Sequence, residues 1–361
     1  MGMKHVGINL FVFVLTATAL LPIARADSTS PDVDTPIELG RIPWVRNLPQ
    51  ALAASKVSGK PVMLLFDEVP GCGTCKQFGT GPLSHPIVVD AAALFETAVV
   101  YNNVPGAEEA ILKKYKEPTW NNPVVRFVDS SGKDLMARHA DDYSTGGLLR
   151  SMVAALRATK QNVPPYLALV ETEYNPKKLE TATFAMHCYW EGEQKLGKLD
   201  GVVATRIGML DGLEVVEVDF DSTVLDYAAL VRQAKKQDCA HRVFARTDAQ
   251  VKIARDIVGD MVTRSDTAVD TSTQQQYHLF QKPEYHYLPL TQLQATRVNA
   301  MIADGQSPDT LLSPSQLALS QKIAAIHAKN PDLFAKIQPK RNADALPGYW
   351  QEMELLIEQA K

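Results

Sequence analysis

The sequence predicts an α/β (α+β) protein with two domains and a helical C-terminal tail. Short apolar runs such as 61–67 (PVMLLFD) are typical of buried strands, and they alternate with segments of helical spacing such as 48–58. A chain of 361 residues is long enough for two hydrophobic cores. The breakers at 162–165 (NVPP) indicate a boundary between two α/β units.

Each element is predicted from its local pattern. In the first unit we expect a helix at 48–58, a strand at 61–67, a helix from the Cys72 pair onward, a helix then a strand within 91–104, a helix at 108–115, a strand at 124–129, a turn at 130–133 with a return at 134–138, and a helix at 144–158. In the second unit we expect strands at 181–185, 201–207 and 213–220, with helices at 194–199 and 227–236. The tail adds helices at 316–328 and 349–360. The expected organisation is a signal peptide at 1–26, a first domain at 27–160, a linker at 161–177, a second domain at 178–265, and a C-terminal strap with helices at 266–361.

The N-terminus has the three parts of a secretory signal peptide. Lys4 and His5 form a positive start, 6–23 is an apolar run, and 24–26 is an Ala-x-Ala cleavage site. We therefore expect an exported protein, periplasmic or secreted, whose mature chain begins at Asp27; an uncleaved anchor helix is the alternative. No later stretch is long and apolar enough to span a bilayer.

Composition and charge narrow the function further. The chain is 45% hydrophobic and 22% charged, with a net charge of −4, so we expect neither a nucleic-acid partner nor an anionic-membrane partner. Four cysteines are too few for a disulfide scaffold in a chain of this length, and they indicate redox chemistry instead. His241, His278 and His286 do not have metal-ligand spacing, so we expect no metal and no other cofactor.

Cys72 and Cys75 form a Cys-x-x-Cys pair just after the strand at 61–67 and at an expected helix start. Two intervening residues place both sulfurs in one helical turn, and the positive end of the helix stabilises a thiolate. We therefore expect Cys72 to be the nucleophile and Cys75 the resolving thiol. Two thiolates also suit copper(I), which remains an alternative.

The segment PVMLLFDEVPGCGTCKQF resembles the active-site segment of the thioredoxin superfamily, and the resemblance covers residues 37–158. Asn122-Pro123, followed by VVRFVDSSGK, resembles that family's cis-proline and the hairpin after it. The resemblance implies a thioredoxin-like fold in which Pro123 lies beside the active-site disulfide and helps to bind the substrate chain. Val69-Pro70-Gly71 stands where the family has an aromatic residue. A looser similarity is to thioredoxin-like proteins with a Val-Pro-Gly-selenocysteine segment, with Cys72 at the selenium position.

The segment TATFAMHCYWEGEQKLGKLDGVVATRIGMLDGLEVVEVDFD resembles the opening of A-type methionine sulfoxide reductases. That family carries a Gly-Cys-Phe-Trp-Gly motif, a Pro-Gly-Val turn and a strand with a glutamate. Cys188, Tyr189 and Trp190 match the motif, and Glu214 matches the glutamate. His187 and Glu191 replace the two glycines, and the loop that carries a substrate-binding tyrosine is shortened to 209–211.

This resemblance implies a role for each matching residue. Cys188 would attack the sulfoxide sulfur, and Glu214, kept partly neutral by burial, would protonate the departing oxygen. Tyr189 and Trp190 would line an apolar pocket for the methyl group, and Cys239 would resolve the sulfenic acid left on Cys188. The aromatic, Pro-containing segment at 281–299 is expected to complete the core as a strap, or to replace the shortened pocket loop.

Together these observations predict an exported thiol oxidoreductase that reduces peptide methionine sulfoxide. The Cys-x-x-Cys domain would relay electrons from an upstream thiol donor. The expected partners are exported proteins that contain methionine sulfoxide or disulfides. Two alternatives remain: a disulfide reductase whose second domain only binds clients, and a copper(I)- or thiol-binding module.

Overall fold

A computed structural model describes Gly2 and residues 35–120 and 122–360, and Pro36–Lys361 forms one compact unit. Apart from Gly2, the predicted signal peptide and its expected cleavage before Asp27 lie outside the described residues. Among the helices that are described, none combines the length and the apolar character needed to cross a membrane.

The first sheet has three strands in the order β2-β1-β3: β1 (Val62–Asp67), β2 (Glu96–Tyr101) and β3 (Val124–Val128). The central strand β1 runs parallel to β2 and antiparallel to β3. All six residues of β1 are buried, as expected for a strand that is covered on both faces. Because β1 and β2 are parallel, both strands end on the same side of the sheet, and the segment that follows β1 starts there.

Six helices surround this sheet: α1 (Leu48–Ser58), α2 (Gly73–Thr80), α3 (Pro86–Ala92), α4 (Ala107–Tyr115), α5 (Thr145–Ala158) and α6 (Pro165–Tyr174). Alternate residues of β1 supply two separate cores, because successive strand side chains point to opposite faces. Met63 and Leu65 belong to the core that contains α5, whereas Leu64 and Phe66 belong to the core that contains α1.

The predicted linker at 161–177 holds helix α6. Pro165 is its first residue, where the missing N–H costs nothing. Tyr166, Leu167 and Val170 are buried in the same core as α5, so apolar spacing continues through the segment that the prolines marked as a break.

The second sheet has six strands in the order β8-β7-β4-β6-β5-β9. Its strands and helices are β4 (Leu179–Ala185), α7 (Tyr189–Gly197), β5 (Val202–Leu210), β6 (Leu213–Asp221), α8 (Tyr227–Lys236), β7 (Arg242–Ala245), α9 (Asp248–Val258), β8 (Val262–Arg264) and β9 (Asp270–Thr271). The pairs are antiparallel except β7 with β8. The mixture of parallel and antiparallel pairing in the two sheets confirms the predicted α+β class.

The C-terminal region forms a helical module with a hydrophobic cluster of its own. Its helices are α10 (Tyr277–Phe280), α11 (Pro283–His286), α12 (Gln292–Ala303), α13 (Pro314–His327) and α14 (Leu346–Gln359). Helix α12 connects this helical module to α6 and to the end of α7. Glu173 of α6 accepts hydrogen bonds from the N–H groups of Gln292 and Leu293, and Arg297 donates to the carbonyl oxygens of Gly197 and Leu199.

Candidate functional site

Cys72 and Cys75 lie at the start of α2, as predicted. Cys72 is the N-cap residue and Cys75 belongs to the first turn, with the two Sγ atoms 3.0 Å apart and both thiols free. Cys72 is partly exposed and Cys75 is buried. Burial opposes ionisation of Cys72, but hydrogen bonds from the Cys75 thiol and from the Cys75 and Thr74 backbone N–H groups outweigh it and lower its pKa. Burial raises the pKa of Cys75, so Cys72 is the accessible thiolate.

Asp67, at the end of β1, is a functional candidate that was not predicted from the sequence. It is fully buried, and that burial raises its pKa to about 7, although a hydrogen bond with Cys75 opposes the shift. A carboxyl group with a pKa near neutrality, in contact with a buried thiol, is suited to accept that thiol's proton. The sequence did contain a signal for this residue, because an ionisable side chain directly follows five apolar residues in a strand that is buried on both faces.

Side chains from two other segments of the chain form hydrogen bonds with the backbone of the loop between β1 and α2. The Asn103 side chain accepts from the Val69 N–H (3.2 Å) and donates to the Pro70 carbonyl (3.3 Å). Glu38, itself buried, accepts from the Gly71 N–H at 2.8 Å. These contacts position the residues that lead directly into Cys72.

The expected cis-proline at Asn122-Pro123 is wrong. In the described chain the cis peptide bond is Val69–Pro70, within the loop that leads to Cys72. Pro123 directly precedes β3, whose first residue, Val124, pairs with Phe66 near the end of β1. The Asn122 Oδ1 atom is 3.8 Å from the Cys72 Sγ. The segment predicted to bind substrate is therefore adjacent to Cys72, although its peptide bond is trans.

A carboxylate also lies against the dithiol. Oxygen and sulfur atoms of Glu68, Cys72 and Cys75 lie within 4.8 Å of one another. Two thiolates and one carboxylate are a donor set that Zn²⁺ accepts, and the thiolates alone suit copper(I).

Cys188 occupies the equivalent position in the second sheet, between β4 and α7. It is the N-cap residue of α7 and is partly exposed. Tyr189 and Trp190 form the first turn of the helix, with ring centroids 5.6 Å apart. Glu214, on β6, accepts a hydrogen bond from the Tyr189 N–H at 2.8 Å, and its backbone carbonyl accepts from Met186. The structure therefore brings Cys188, both aromatic residues and Glu214 together.

Cys239 lies apart from this group. It is buried, its Sγ faces the Gln237 carbonyl at 3.4 Å, and burial raises its pKa to about 11. The same carbonyl accepts from Lys195 of α7 at 2.9 Å, so Cys239 lies beside the helix that Cys188 begins. Within the described residues, no disulfide or hydrogen bond joins Cys188 to another cysteine.

A second group that was not predicted comes from the C-terminal module. Tyr277 stacks on Trp190 with ring centroids 4.3 Å apart and an interplanar angle of 20°. Glu193, one helical turn after Trp190, is buried and accepts from the Gln276 N–H at 3.1 Å. The aromatic strap was predicted at 281–299, but the contact with the Cys188 site is made a few residues earlier.

No protein-family model matches the chain. The curated proteins similar to it include three that are named peptide methionine sulfoxide reductase MsrA. One from Methanococcus maripaludis is 25% identical over 139 residues, which cover 30% of this chain and 88% of the relative. One from Methanothermobacter thermautotrophicus is 37% identical over 71 residues, covering 15% of this chain and 42% of the relative. One from a second M. maripaludis strain is 23% identical over 140 residues, covering 30% and 88%.

These similarities support an MsrA-like domain in the chain. They indicate a peptide-methionine sulfoxide reductase-like oxidoreductase that acts on sulfur groups.

Proposed function

We propose that the chain reduces methionine sulfoxide in peptides at Cys188. The observation that carries the proposal is the position of Glu214, whose carboxylate binds the N–H of the residue after Cys188. The Cys188 thiolate attacks the sulfoxide sulfur and forms a sulfur–sulfur bond, while Glu214 and a second proton from solvent convert the departing oxygen to water. Water then adds to the Cys188 sulfur and loses a proton, and the sulfur–sulfur bond breaks so that methionine leaves with the electron pair. The products are methionine and a sulfenic acid on Cys188.

The catalytic cycle requires a second thiol. The sulfenic acid condenses with that thiol to form a disulfide and release water. Cys239 is our candidate, since it lies beside α7, and its burial means that the 237–241 turn must open for the two sulfurs to meet. Exchange with Cys72 and Cys75 then returns two thiols and leaves a disulfide at Cys72–Cys75.

The Cys72 module is the proposed electron relay, with a thioredoxin-like arrangement. Its support is the central strand β1, the dithiol at the start of α2, and Pro123 beside β1 at the start of β3. We propose that an upstream thiol donor reduces this module, and that the protein acts after export on oxidised exported proteins. N-terminal sequencing of the exported protein tests the export proposal, and a first residue other than Asp27 would contradict the expected cleavage.

The central experiment is turnover of a methionine sulfoxide peptide with dithiothreitol as reductant. We expect the Cys188→Ser variant to lose all turnover. Glu214→Gln should lose about 10²- to 10⁴-fold in kcat, the usual contribution of a general acid. Cys72→Ser is the matched control, because dithiothreitol replaces the relay; it should retain turnover here and lose it with a protein thiol donor. Equal activity of wild type and Cys188→Ser would overturn the proposal.

A second candidate function is metal-ion binding by the dithiol, and it is favoured by the cluster of Glu68, Cys72 and Cys75. The reduced protein should then bind copper(I) or Zn²⁺, and Cys72→Ser should abolish binding while Cys188→Ser retains it. Binding without any thiol turnover would favour this candidate over the reductase. The third reading, a disulfide reductase with a silent second domain, predicts disulfide reduction that Cys188→Ser does not affect.

A further inference from the structure

One face of Trp190 is covered by a residue from a distant part of the chain. Tyr277 begins α10, and its ring lies almost parallel to the indole, 4.3 Å away between centroids. Trp190 is in the first turn of the helix that Cys188 begins. The Tyr277 hydroxyl forms no hydrogen bond with a described residue, so within this part of the chain its polar end is free for a ligand.

Tyr277 is held in place by a buried carboxylate. Glu193 is 1% exposed and accepts from the backbone N–H groups of Gln276 and Tyr277 and from the Asn299 side chain. Asn299 in turn accepts from the Leu279 N–H at 2.9 Å. The start of α10 is thus fixed to α7 and α12 by side chains that solvent does not reach.

Gln276, the residue before Tyr277, has a strained backbone conformation. It is a buried, non-glycine residue in the left-handed region, with φ 54°. Such a conformation is strained and persists where surrounding contacts over-determine it, commonly at ligand sites. Here the over-determining contact is the hydrogen bond to Glu193, which sets the orientation of Tyr277.

Tyr277 also lines a cavity. It has a volume of about 310 Å³ and is lined by Thr273, Gln274, Tyr277, Phe280 and Gln281. Two aromatic rings form its apolar part, and the amides of the two glutamines suit a peptide backbone. The volume is at the small end of the range for ligand cavities, which fits one side chain better than a cofactor. Phe280 is 56% exposed, and its ring contacts His286 edge to face, with centroids 4.8 Å apart.

We propose that this cavity binds the side chain next to methionine sulfoxide in a peptide substrate, with a preference for apolar or aromatic residues. The inference rests on the proposed function and deepens it, because it assigns a subsite to the residue adjacent to methionine sulfoxide. Trp190 contacts the sulfoxide residue, Tyr277 separates the two subsites, and Phe280 contacts the neighbouring side chain. Glu193 is a positioning residue, because it acts through the backbone of Tyr277.

The test compares kcat/KM for two peptides in which methionine sulfoxide is followed by phenylalanine or by glycine. We expect the wild type to prefer the phenylalanine peptide by about tenfold or more, the discrimination typical of an apolar pocket. Phe280→Ala should reduce this ratio to near one, and Glu193→Gln should raise KM for the phenylalanine peptide more than it lowers kcat. Leu355→Ala is the matched control, since Leu355 is a 59% exposed apolar residue outside this cavity, and it should leave the ratio unchanged.

The possible outcomes separate the two proposals. If the wild type reduces neither peptide, the proposed function fails. If it reduces both peptides equally well, or if Phe280→Ala keeps the preference, the reductase stands and the neighbouring-residue subsite is overturned. Because Phe280 is exposed, its truncation does not endanger folding, and the ratio is insensitive to a general loss of active protein.

Discussion

Replacing Asp67 by asparagine should make the protein more stable, and increasingly so as the pH rises. The pKa of Asp67 is about 7 in the folded protein and is expected near the ordinary value of 3.8 for an aspartate in the unfolded chain. The folded protein therefore binds the extra proton more tightly. Its contribution to stability is complete below the unfolded pKa and is lost as the pH rises through 7. With about 1.4 kcal/mol for each unit of difference, the wild type loses about 4 kcal/mol across this range.

The asparagine variant lacks this titration, since it has no proton to release. Its free energy of unfolding should match that of wild type at about pH 4 and exceed it by about 3–4 kcal/mol at about pH 8. Urea unfolding of both reduced proteins at several pH values, followed by tryptophan fluorescence, measures the difference. Glu109→Gln is the control, because Glu109 is exposed on α4. The groups that interact with Asp67 are Cys75, Glu38 and Glu68. A stability difference that does not change with pH would refute this reasoning.

The same variant should lose activity at the dithiol. Without the Asp67 carboxylate, the buried Cys75 thiol loses the carboxyl group to which it is hydrogen-bonded. Release of a mixed disulfide from Cys72 should then slow by about 10²-fold or more. The wild-type rate should rise with pH around 7, and this rise should be absent from Asp67→Asn. An unchanged pH profile would show that Asp67 does not serve Cys75.

Two further changes have directions set by the packing. Gly71→Ala places a Cβ against the Glu68 carbonyl oxygen and 2.6 Å from the Cys75 Cβ. We therefore expect it to lower the unfolding free energy by about 1–3 kcal/mol and to slow thiol exchange. Gly73→Ala is the control: its Cβ meets nothing within 4 Å, so it should be nearly neutral in both assays. Glu173→Ala removes the acceptor for two N–H groups at the start of α12 and should lower the free energy of unfolding in urea by about 1–3 kcal/mol. Glu171→Ala, on the same helix, is the control. If Glu173→Ala destabilises the protein less than Glu171→Ala does, Glu173 does not cap α12.

Local periodicity was enough to predict some elements to the residue. Helix 227–236 matches α8 at both ends, because Asp226 caps it and its apolar residues recur on one face. The helix expected within 91–100 is wrong: α3 ends at Ala92 and Glu96–Tyr101 is the strand β2. That Ala- and Val-containing segment has no decisive period, and pairing with β1 determines its conformation.

The start of α7 shows a second limit of sequence reasoning. The helix was expected at 194–199 but begins at Tyr189. The Cys188 side chain provides no cap, and the Tyr189 N–H is satisfied by Glu214 from another strand. The resemblance to a family motif assigned Cys188 and Glu214 to one site, but it did not predict the hydrogen bond from the Tyr189 N–H to Glu214. Asn103 and Tyr277 were missed because their partners are distant in sequence.

Both thiol sites use the same local arrangement, and they differ in one feature that matters for the proposed relay. Cys72 and Cys188 are each the N-cap residue after a strand, and each has a backbone N–H beside it bound by a carboxylate, from Glu38 and Glu214 respectively. The first site has a second thiol, Cys75, within the same turn, so it can hold two electrons and release them as a disulfide. The helix that Cys188 begins has no other cysteine, so an oxidised Cys188 must be resolved by a thiol from elsewhere. In the proposed relay, electrons therefore pass from the dithiol to Cys188.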